Sequence, residues 1–334
     1  MIEQVIEKLK SKKDLSSKET EGIFTEIMSG KAATESIAVF LLALKEKGET
    51  VDEITAAARV MRKFATKINT ERSNLLDTCG TGGDSSGTIN VSTISALVAA
   101  GAGARVAKHG NRAVSSRCGS ADLLEKLGVN INAPIKTLEK CVNEIGIGFL
   151  FAPMFHSAMK YAREARKTIK TRSIFNILGP LTNPADASCQ VVGVYDEGLV
   201  RTIADVLKNL GSKRALVVRG KDGLDEITTA GDTSVAELKE GDVKEYMIRP
   251  EDFGFVRAKN KDLKGGDAEF NKGVALGILK GEIKSDIVLL NSGAAIYITG
   301  LAKDIKDGIK KAKEAIDSGQ AMEKLKLLKK ITNA

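Results

Sequence analysis

The chain has 334 residues, of which 43% are hydrophobic and 28% charged, a composition typical of a globular protein of about two domains. With 32 glycines and only 5 prolines, it is neither collagen-like nor proline-rich. The net charge of +8 favours anionic partners. The chain contains no Trp, 4 Tyr and 10 Phe, few rings for stacking on bases, so small anions are favoured over nucleic acid.

The four cysteines match neither a CxxC pair nor a usual metal-ligand spacing: Cys79, Cys118, Cys141 and Cys189. They predict a reduced, cytoplasmic protein. The first residues, MIEQVIEKLKSKKD, mix charges with apolar residues and do not form a signal peptide. Of the uncharged runs, 85–104 is rich in Gly, Ser and Thr and 287–302 is too short, so no membrane span is expected.

Residues 1–70 are predicted to form helices only. Apolar residues in the first segment recur at helical spacing. Ser16 with Glu19, and Thr50 with Glu53, have the spacing of capping boxes at helix starts. This segment is therefore predicted to be a small, all-helical domain.

From Leu75 onward, short apolar runs alternate with glycine-containing loops and helical stretches, the pattern of a parallel α/β domain over residues 71–334. Residues 233–248 are predicted to form an edge hairpin, and the chain from Ala302 onward to be helical. The predicted strands are Leu75–Cys79, Ala104–Lys108, Val129–Ile131, Ile147–Phe151, Gln190–Tyr195 and Ala215–Arg219. The predicted fold is thus a helical domain plus a larger domain with a mainly parallel central sheet flanked by helices.

The segment 77–93, DTCGTGGDSSGTINVST, indicates a phosphate-binding loop. Gly80, Gly82 and Gly83 follow a strand and allow backbone N–H groups to approach a ligand closely. The helix that starts near Asn90 adds unpaired N–H groups and the positive end of its dipole. The segment therefore predicts an anion site.

Two familiar nucleotide motifs fit this segment poorly. A P-loop needs a Lys followed by Ser or Thr after its last glycine, and no such pair follows Gly83 or Gly87. A dinucleotide-binding turn needs a third glycine where Ser85 stands.

A second polar loop, KHGNRAVSS, begins at Lys108 at the end of the next predicted strand. Because parallel strands end at the same edge of a sheet, this loop and the glycine loop are expected to face one crevice. Lys108 is predicted to bind phosphate there, with Arg112, Ser115 and Ser116 as further donors. Ser120 could be the N-cap of the next helix or another phosphate donor.

Asp225 and Glu226 are adjacent carboxylates in the loop GKDGLDEIT. Mg²⁺ is commonly held by one or two carboxylates, with water and substrate phosphates completing its coordination. A pair of acids opposite a phosphate loop therefore predicts a metal that contacts the leaving group.

Four ordered motifs, GTGGD at 80–84, NVST at 90–93, KHGNRAVSS at 108–116 and LGPLTNP at 178–184, resemble the anthranilate phosphoribosyltransferase family. The resemblance extends over essentially the whole chain. It implies a glycosyltransferase reaction of tryptophan biosynthesis, in which the 5-phosphoribosyl group of phosphoribosyl pyrophosphate (PRPP) passes to the amine of anthranilate. The products are N-(5-phosphoribosyl)anthranilate and pyrophosphate. It also implies the nucleoside phosphorylase and phosphoribosyltransferase type of fold, with a helical segment near 165–185 joining the N-terminal domain.

The resemblance also implies roles for individual residues. Mg²⁺ would be held by Ser92, Asp225 and Glu226, and the catalytic groups would be Lys108, Asp225 and Glu226. Anthranilate would contact Gly80, Asn111 and Arg166. The substrate-binding residues, mostly for PRPP, would be Gly80, Gly83, Asp84, Thr88, Asn90, Val91, Ser92, Thr93, Lys108, His109, Gly110, Asn111, Arg112, Ala113, Val114, Ser115, Ser116 and Ser120.

The sequence departs from the family pattern before Arg166. The family commonly has a small residue, Pro, Val and Arg there, whereas this chain has Arg163, Glu164 and Ala165 before Arg166. Arg163 could therefore compete for the carboxylate of anthranilate.

The family also implies a homodimer formed through the helical domain. Val39, Phe40 and Leu44 could serve such an interface, and their alternative role is the domain core.

The chemistry requires stabilisation of the leaving pyrophosphate rather than a strong base, because an aromatic amine is unprotonated at neutral pH. The chain's two histidines, His109 and His156, have no evident acid or hydroxyl partner in sequence. Two alternatives remain: a pyrimidine nucleoside phosphorylase of similar architecture, and a non-catalytic protein that binds nucleic acid on this fold.

Overall fold

The computed structural model describes residues 2–83, 86–113 and 117–334. Its first part is helical, as the sequence predicts, with α1 (Ile2–Lys10), α2 (Ser17–Met28), α3 (Thr34–Lys47) and α4 (Val51–Phe64). Both predicted capping boxes form, at the start of α2 and of α4. Each satisfies backbone N–H groups that would otherwise lack a partner at a helix start.

The apolar positions proposed for a dimer interface divide between core and surface. Phe40 and Leu44 are fully buried in the helical core, so an interface role for them is wrong. Val39 is 43% exposed, and Leu42 on the same helix is exposed to the same extent.

A seven-stranded sheet in the order β3-β2-β1-β4-β5-β6-β7 forms the centre of the larger part of the chain. Strands β1 to β5 are parallel, and β6 and β7 form the predicted antiparallel hairpin at the edge. The strands are β1 (Leu76–Gly80), β2 (Val106–Gly110), β3 (Ile147–Phe151), β4 (Cys189–Gly193), β5 (Arg214–Gly220), β6 (Thr233–Lys239) and β7 (Asp242–Ile248).

One predicted strand, Val129–Ile131, is wrong. This segment closes the end of the preceding helix, where the N–H of Val129 donates to the carbonyl of Leu124 (3.0 Å) after Gly128 at φ 90°. Val129 and Ile131 are buried. The alternation of apolar residues therefore reflects a buried helix cap, which has the same short pattern as a strand.

The larger part of the chain also contains helices, several of which pack on the sheet. They are α5 (Val91–Gly101), α6 (Ser120–Lys126), α7 (Ile135–Lys140), α8 (Ala152–Phe155), α9 (Lys160–Ile169), α10 (Phe175–Leu178), α11 (Leu199–Asn209), α12 (Ala268–Leu279), α13 (Asp286–Ile298), α14 (Ile305–Asp317) and α15 (Gln320–Thr332). Helix α9 packs against α2 and α3, and α10 contacts α4. We therefore propose a division near residue 70, with the segment 165–185 lying against the N-terminal helices.

Because β1, β2, β4 and β5 are parallel, the loops that follow them leave the sheet at one edge. This edge carries the motifs that the sequence analysis identified. Within residues 2–83, 86–113 and 117–334, no helix is both long enough and apolar enough to cross a membrane.

Candidate active site

The loop after β1 has the backbone that its glycines predict. Gly82 and Gly83 have φ values of +64° and +74°, in the left-handed region that favours glycine. The N–H of Gly82 donates to Oδ2 of Asp225 (2.9 Å), and the N–H of Ser92, at the start of α5, donates to Oε1 of Glu226 (3.1 Å). The N–H groups of this loop thus already bind anionic oxygens.

Two glycines make room for Asp225 at the sheet edge. Gly80 and Gly193 are neighbours in the register of β1 and β4. A Cβ atom on Gly80 would lie 2.5 Å from Oδ2 of Asp225, and one on Gly193 would overlap the carbonyl oxygen of Asp225. Asp225 therefore crosses the ends of both strands in direct contact with their backbones.

Lys108 lies within the same cluster. Its Nζ donates to Oγ of Ser92 (3.3 Å) and to the carbonyl of Thr78. Since Ser92 is also bonded to Glu226, the structure brings together the lysine, the hydroxyl and the carboxylate pair that are far apart in the sequence. Their ligands remain predictions.

Lys108 is buried, and burial lowers its pKa, while the negative charge of Asp77 acts in the opposite direction. Asp77, which the sequence analysis did not identify, is completely buried, and burial raises its pKa. Its carboxylate accepts hydrogen bonds from the N–H of His109 (3.1 Å) and from Nδ2 of Asn183 (2.8 Å). The same Nδ2 donates to the carbonyl of Ala107 (2.8 Å). Asp77 and Asn183 together thus join β1 to β2 beneath the candidate site.

His109 and His156 lie side by side, with ring centroids 5.1 Å apart. Burial lowers the pKa of His109 to about 3 and that of His156 to about 4, so both rings are neutral near pH 7. Both rings donate to backbone carbonyls of the LGPLTNP segment: His109 to that of Gly179 and His156 to that of Thr182. Among the described residues, the Nε2 atoms of both rings are buried without a hydrogen-bond partner.

The arginine of the loop after β2, Arg112, is paired with carboxylates of the following helix. Arg112 pairs with Asp122 and Glu125 on α6, each at 2.9 Å, and these carboxylates raise its pKa. Ser120 is the first residue of α6 and donates to the carbonyl of Asn111 (3.2 Å). The N-cap is Gly119, so the alternative of Ser120 as N-cap is wrong.

The remaining predicted residues lie along the same two loops. Thr88 forms an isolated bridge with Lys264, and Val91 and Thr93 are buried in the first turns of α5. Gly110 ends β2, and the N–H of Ala113 donates to Asp122 (2.9 Å). Four predicted residues lie outside the described part of the chain: Asp84, Val114, Ser115 and Ser116.

The two candidate arginines on α9 have different surroundings. The guanidinium of Arg166 lies 5.5 Å from the ring centroid of Phe175, and burial lowers its pKa. Arg163 is exposed. This difference favours Arg166 over Arg163 as a residue that faces the interior.

Arg172 is a further residue that sequence reasoning missed. Its Nη2 donates to the carbonyl of Gly83, and its guanidinium stacks 4.0 Å from the ring centroid of Tyr195. No motif spacing identifies it, because both contacts join segments that are distant in sequence.

The donor set fits magnesium. Asp225, Glu226 and Ser92 offer carboxylate and hydroxyl oxygens, which Mg²⁺ prefers. In the described ranges, no group of three or more His, Cys, Asp and Glu side chains could hold a metal ion. A magnesium site here thus depends on two carboxylates together with oxygens from a substrate, as is usual for this ion.

A cavity of about 670 Å³ lies elsewhere, at the amino ends of β1, β4 and β5. It contains none of the predicted site residues. Most charged residues that line the cavity are basic, and two of them, Lys67 (3.0 Å) and Arg72 (2.8 Å), form ion pairs with Asp186. This cavity is therefore a partly neutralised surface, and we place the candidate site at the opposite edge of the sheet.

Comparison with known proteins agrees with this fold. Residues 72–322 match the glycosyl transferase family, a/b domain, and residues 3–65 match its helical bundle domain. The chain is therefore a member of this glycosyl transferase family.

More specific matches cover the full chain. It is 51% identical over 334 residues to "Anthranilate phosphoribosyltransferase" of Alkaliphilus metalliredigens, spanning 99% of this chain and 98% of that one. A crystal structure of anthranilate phosphoribosyltransferase from Thermus thermophilus has a TM-score of 0.94 at 41% identity, covering 99% of both chains. The Saccharomyces cerevisiae enzyme in complex with PRPP and Mg has a TM-score of 0.91 at 27% identity, covering 99% of this chain and 98% of that one. The chain belongs to the anthranilate phosphoribosyltransferase family.

Proposed function

We propose that this chain transfers the 5-phosphoribosyl group of PRPP to the amine of anthranilate, releasing pyrophosphate, as a step of tryptophan biosynthesis. One observation carries the proposal: Lys108, Ser92 and the Asp225 and Glu226 carboxylates meet at the start of α5. A lysine attracts phosphate and a carboxylate pair binds a divalent cation, so together these groups suit a leaving pyrophosphate.

PRPP binds to the two loops at the carboxyl ends of β1 and β2. The left-handed backbone at Gly82 and Gly83 and the amino end of α5 favour the binding of phosphate oxygens. Lys108 adds a positive charge in a buried setting, where its attraction to phosphate is less screened than at the surface.

Asp225, Glu226 and Ser92 hold Mg²⁺ in this proposal. A bound Mg²⁺ supplies positive charge that stabilises the leaving pyrophosphate. The chain's own contribution is to fix the carboxylates, through the contacts of Asp225 with Gly80, Gly82 and Gly193. Fixed charges need no rearrangement as the bond to pyrophosphate breaks.

Anthranilate binds beside Gly80 and Asn111, and Arg166 faces its carboxylate. The chain needs no strong base, since the aromatic amine is already unprotonated. With pKa values of about 3 and about 4, His109 and His156 are weak bases. Positioning of the amine against the ribose carbon then supplies much of the rate.

The remaining proposals concern the setting of the enzyme. We propose a cytoplasmic location, in keeping with the free cysteines, all four of which are buried. We also propose a homodimer through the helical part, where Val39 and Leu42 present an apolar surface on α3. No role in binding nucleic acid or a membrane is proposed.

The decisive assay follows the loss of anthranilate fluorescence when the protein is incubated with PRPP and Mg²⁺. We expect consumption of anthranilate that requires all three components, with pyrophosphate released in equal amount. Absence of turnover at saturating PRPP and Mg²⁺ would contradict the proposal.

Two further incubations separate the alternatives. A pyrimidine nucleoside phosphorylase would cleave thymidine or uridine in the presence of free phosphate. A nucleic-acid-binding protein would show an affinity for oligonucleotides that falls steeply with salt, and no turnover of PRPP. We expect neither activity.

A further inference from the structure

Two asparagine side chains from the C-terminal helices reach loops of the candidate site. One contacts the phosphate loop after β1 and the other the carboxylate loop after β5. Asn271 on α12 is 2% exposed and Asn291 on α13 is 3% exposed. A buried amide is costly unless its hydrogen bonds are made, so the partners of these two side chains are informative.

Asn291 holds the backbone next to the carboxylate pair. Its Oδ1 accepts a hydrogen bond from the N–H of Ile227 (3.0 Å), and its Nδ2 donates to the carbonyl of the same residue (2.8 Å). A third bond joins Nδ2 to the carbonyl of Ile287 within α13 (2.8 Å). Ile227 directly follows Glu226, so both polar backbone groups of the next residue are fixed to a rigid helix.

Asn271 holds the phosphate loop in a comparable way. Its Nδ2 donates to Oδ1 of Asn90 (2.9 Å), and Nδ2 of Asn90 donates to the carbonyl of Cys118 (2.9 Å). Oδ1 of Asn271 accepts from the N–H of Gly266 (2.8 Å). These bonds fix which way the amide of Asn90 faces, because reversing it would place like groups against one another.

The backbone around Asn271 strengthens this contact. The N–H of Gly265 donates to the carbonyl of Gly87 (2.8 Å), and the N–H of Ile89 donates to the carbonyl of Leu263 (3.2 Å). A Cβ atom on Gly265 would lie 2.6 Å from the carbonyl oxygen of Thr88. The segment 263–266 thus lies directly on the phosphate loop, and Asn271 fastens it there.

We propose that Asn271 and Asn291 are positioning residues, which fix the PRPP-binding loop and the Mg²⁺-binding carboxylates respectively. The proposal rests on the proposed function, since it names what the two loops bind. Neither side chain contacts substrate, and each acts through the loop that it holds.

The test uses Asn271→Asp and Asn291→Asp, which keep side-chain size but replace the amide donor with an oxygen. The Kd of PRPP is measured by calorimetry with and without Mg²⁺, and steady-state KM values are measured beside it. Loss of a residue that orients metal ligands commonly weakens metal binding ~10- to 100-fold. Asn291→Asp is therefore expected to reduce the gain in PRPP affinity that Mg²⁺ provides by roughly tenfold. Without Mg²⁺, its PRPP affinity should stay within about twofold of wild type.

Asn271→Asp should give the other pattern. The Kd of PRPP is expected to rise roughly tenfold whether or not Mg²⁺ is present, and the KM of anthranilate to change by less than about twofold. Asn333→Asp is the control for the substitution itself, since Nδ2 of Asn333 also donates to two carbonyls, those of Gly128 and Lys329. Unlike the two buried asparagines, Asn333 is exposed and directly follows α15. The control substitution should alter neither Kd.

A purely structural role would lower the thermal midpoint without the expected changes in Kd. An unchanged gain in PRPP affinity from Mg²⁺ in Asn291→Asp, or an unchanged Kd of PRPP in Asn271→Asp, would overturn the proposal for that residue. Asn271→Ser and Asn291→Ser, which replace the amide with a smaller hydroxyl group, are measured in parallel. If neither substitution at a position yields folded protein, that asparagine is a stability residue and the proposal is wrong there. An inactive wild-type protein would instead contradict the proposed function, and unchanged variants of an active wild type would contradict only this inference.

Discussion

Charged groups are buried in both parts of the molecule, and their hydrogen bonds lead to different places. In the helical part, the fully buried Glu53 accepts from the N–H groups of Leu15 and Thr50 and from Nζ of Lys47, each at 2.8 Å. At the sheet edge, the buried Lys108 donates to the hydroxyl of Ser92, whose N–H in turn donates to Glu226 on another loop of the candidate site. A buried charge by itself therefore does not indicate function; the direction of its hydrogen-bond network does.

The largest expected effect is on stability and comes from removing the buried carboxylate of Glu53 in the helical part. Glu53→Ala removes one of the two carboxylate partners that the described residues give the 3% exposed side chain of Lys47, leaving Asp14. It also removes the acceptor from the buried N–H of Leu15 and from the half-buried N–H of Thr50. Removing one member of a buried pair typically costs about 3–5 kcal/mol of unfolding free energy. Urea unfolding measures the loss of unfolding free energy. Glu7→Ala, which removes an exposed ion pair with Lys10, is the control and should stay within about 0.5 kcal/mol of wild type. A change of similar size in both variants would contradict this interpretation of Glu53.

The next largest effect is on turnover and comes from removing the charges of Asp225 and Glu226 at the sheet edge. Replacing Asp225 with Asn and Glu226 with Gln removes both negative charges and is expected to lower turnover by at least ~10²-fold, the loss typical of a preorganised charge-stabilising group. The anthranilate fluorescence assay gives the rate. The exposed acids at the tip of the hairpin, Glu240 and Asp242, supply the control when changed to Gln and Asn. Near-normal turnover at ordinary Mg²⁺ would exclude the proposed metal site.

Gly193→Ala displaces the carboxylate loop without changing any charge. A Cβ atom there would overlap the carbonyl oxygen of Asp225, so the loop must move. Misplacement by about 1 Å can cost ~10²-fold in rate, and we expect a fall in kcat of between ~10- and ~100-fold. Gly273→Ala in α12, where nothing lies within 4 Å of the added atom, should be neutral. Equal kcat values for the two variants would show that the loop tolerates displacement.

Arg166→Ala tests the acceptor side. Loss of a charged hydrogen-bond donor is expected to raise the KM of anthranilate about tenfold, with a smaller change in the KM of PRPP. The exposed Arg163, three residues earlier on the same helix, is the matched control. Equal effects on both substrates would remove Arg166 from the acceptor site, and a larger effect of Arg163→Ala would transfer the role to that residue.

Much of the fold could be predicted from the sequence because its signals are local. The capping boxes of α2 and α4 depend on residues three positions apart, and both form. The prediction of a strand at Val129–Ile131 was wrong because a buried helix cap has the same short apolar pattern. The supporting residues Asp77, Asn271 and Asn291 had no local signal at all. Their partners are up to 181 positions away in the sequence, so only the tertiary fold reveals them.

The smallest expected effect concerns pH. Because burial lowers the pKa values of His109 and His156 to about 3 and about 4, neither ring titrates between about pH 6 and pH 8. The histidines should therefore change kcat/KM by less than about twofold over that range. A histidine-dependent limb near the ordinary histidine pKa of about 6.5, lost in His109→Gln, would show that a ring titrates during the reaction.

The same shifts have a consequence for stability. The unfolded chain binds protons at histidine near its ordinary pKa of about 6.5 while the folded chain does not, so the unfolding free energy falls as pH drops below that value. Between about pH 6.5 and pH 5.5 each histidine should contribute a loss of about 1 kcal/mol. Urea unfolding of His156→Gln at both pH values should show a smaller decline than wild type. An identical decline would mean that His156 has nearly the same pKa in the folded and the unfolded chain, so that burial does not shift its titration.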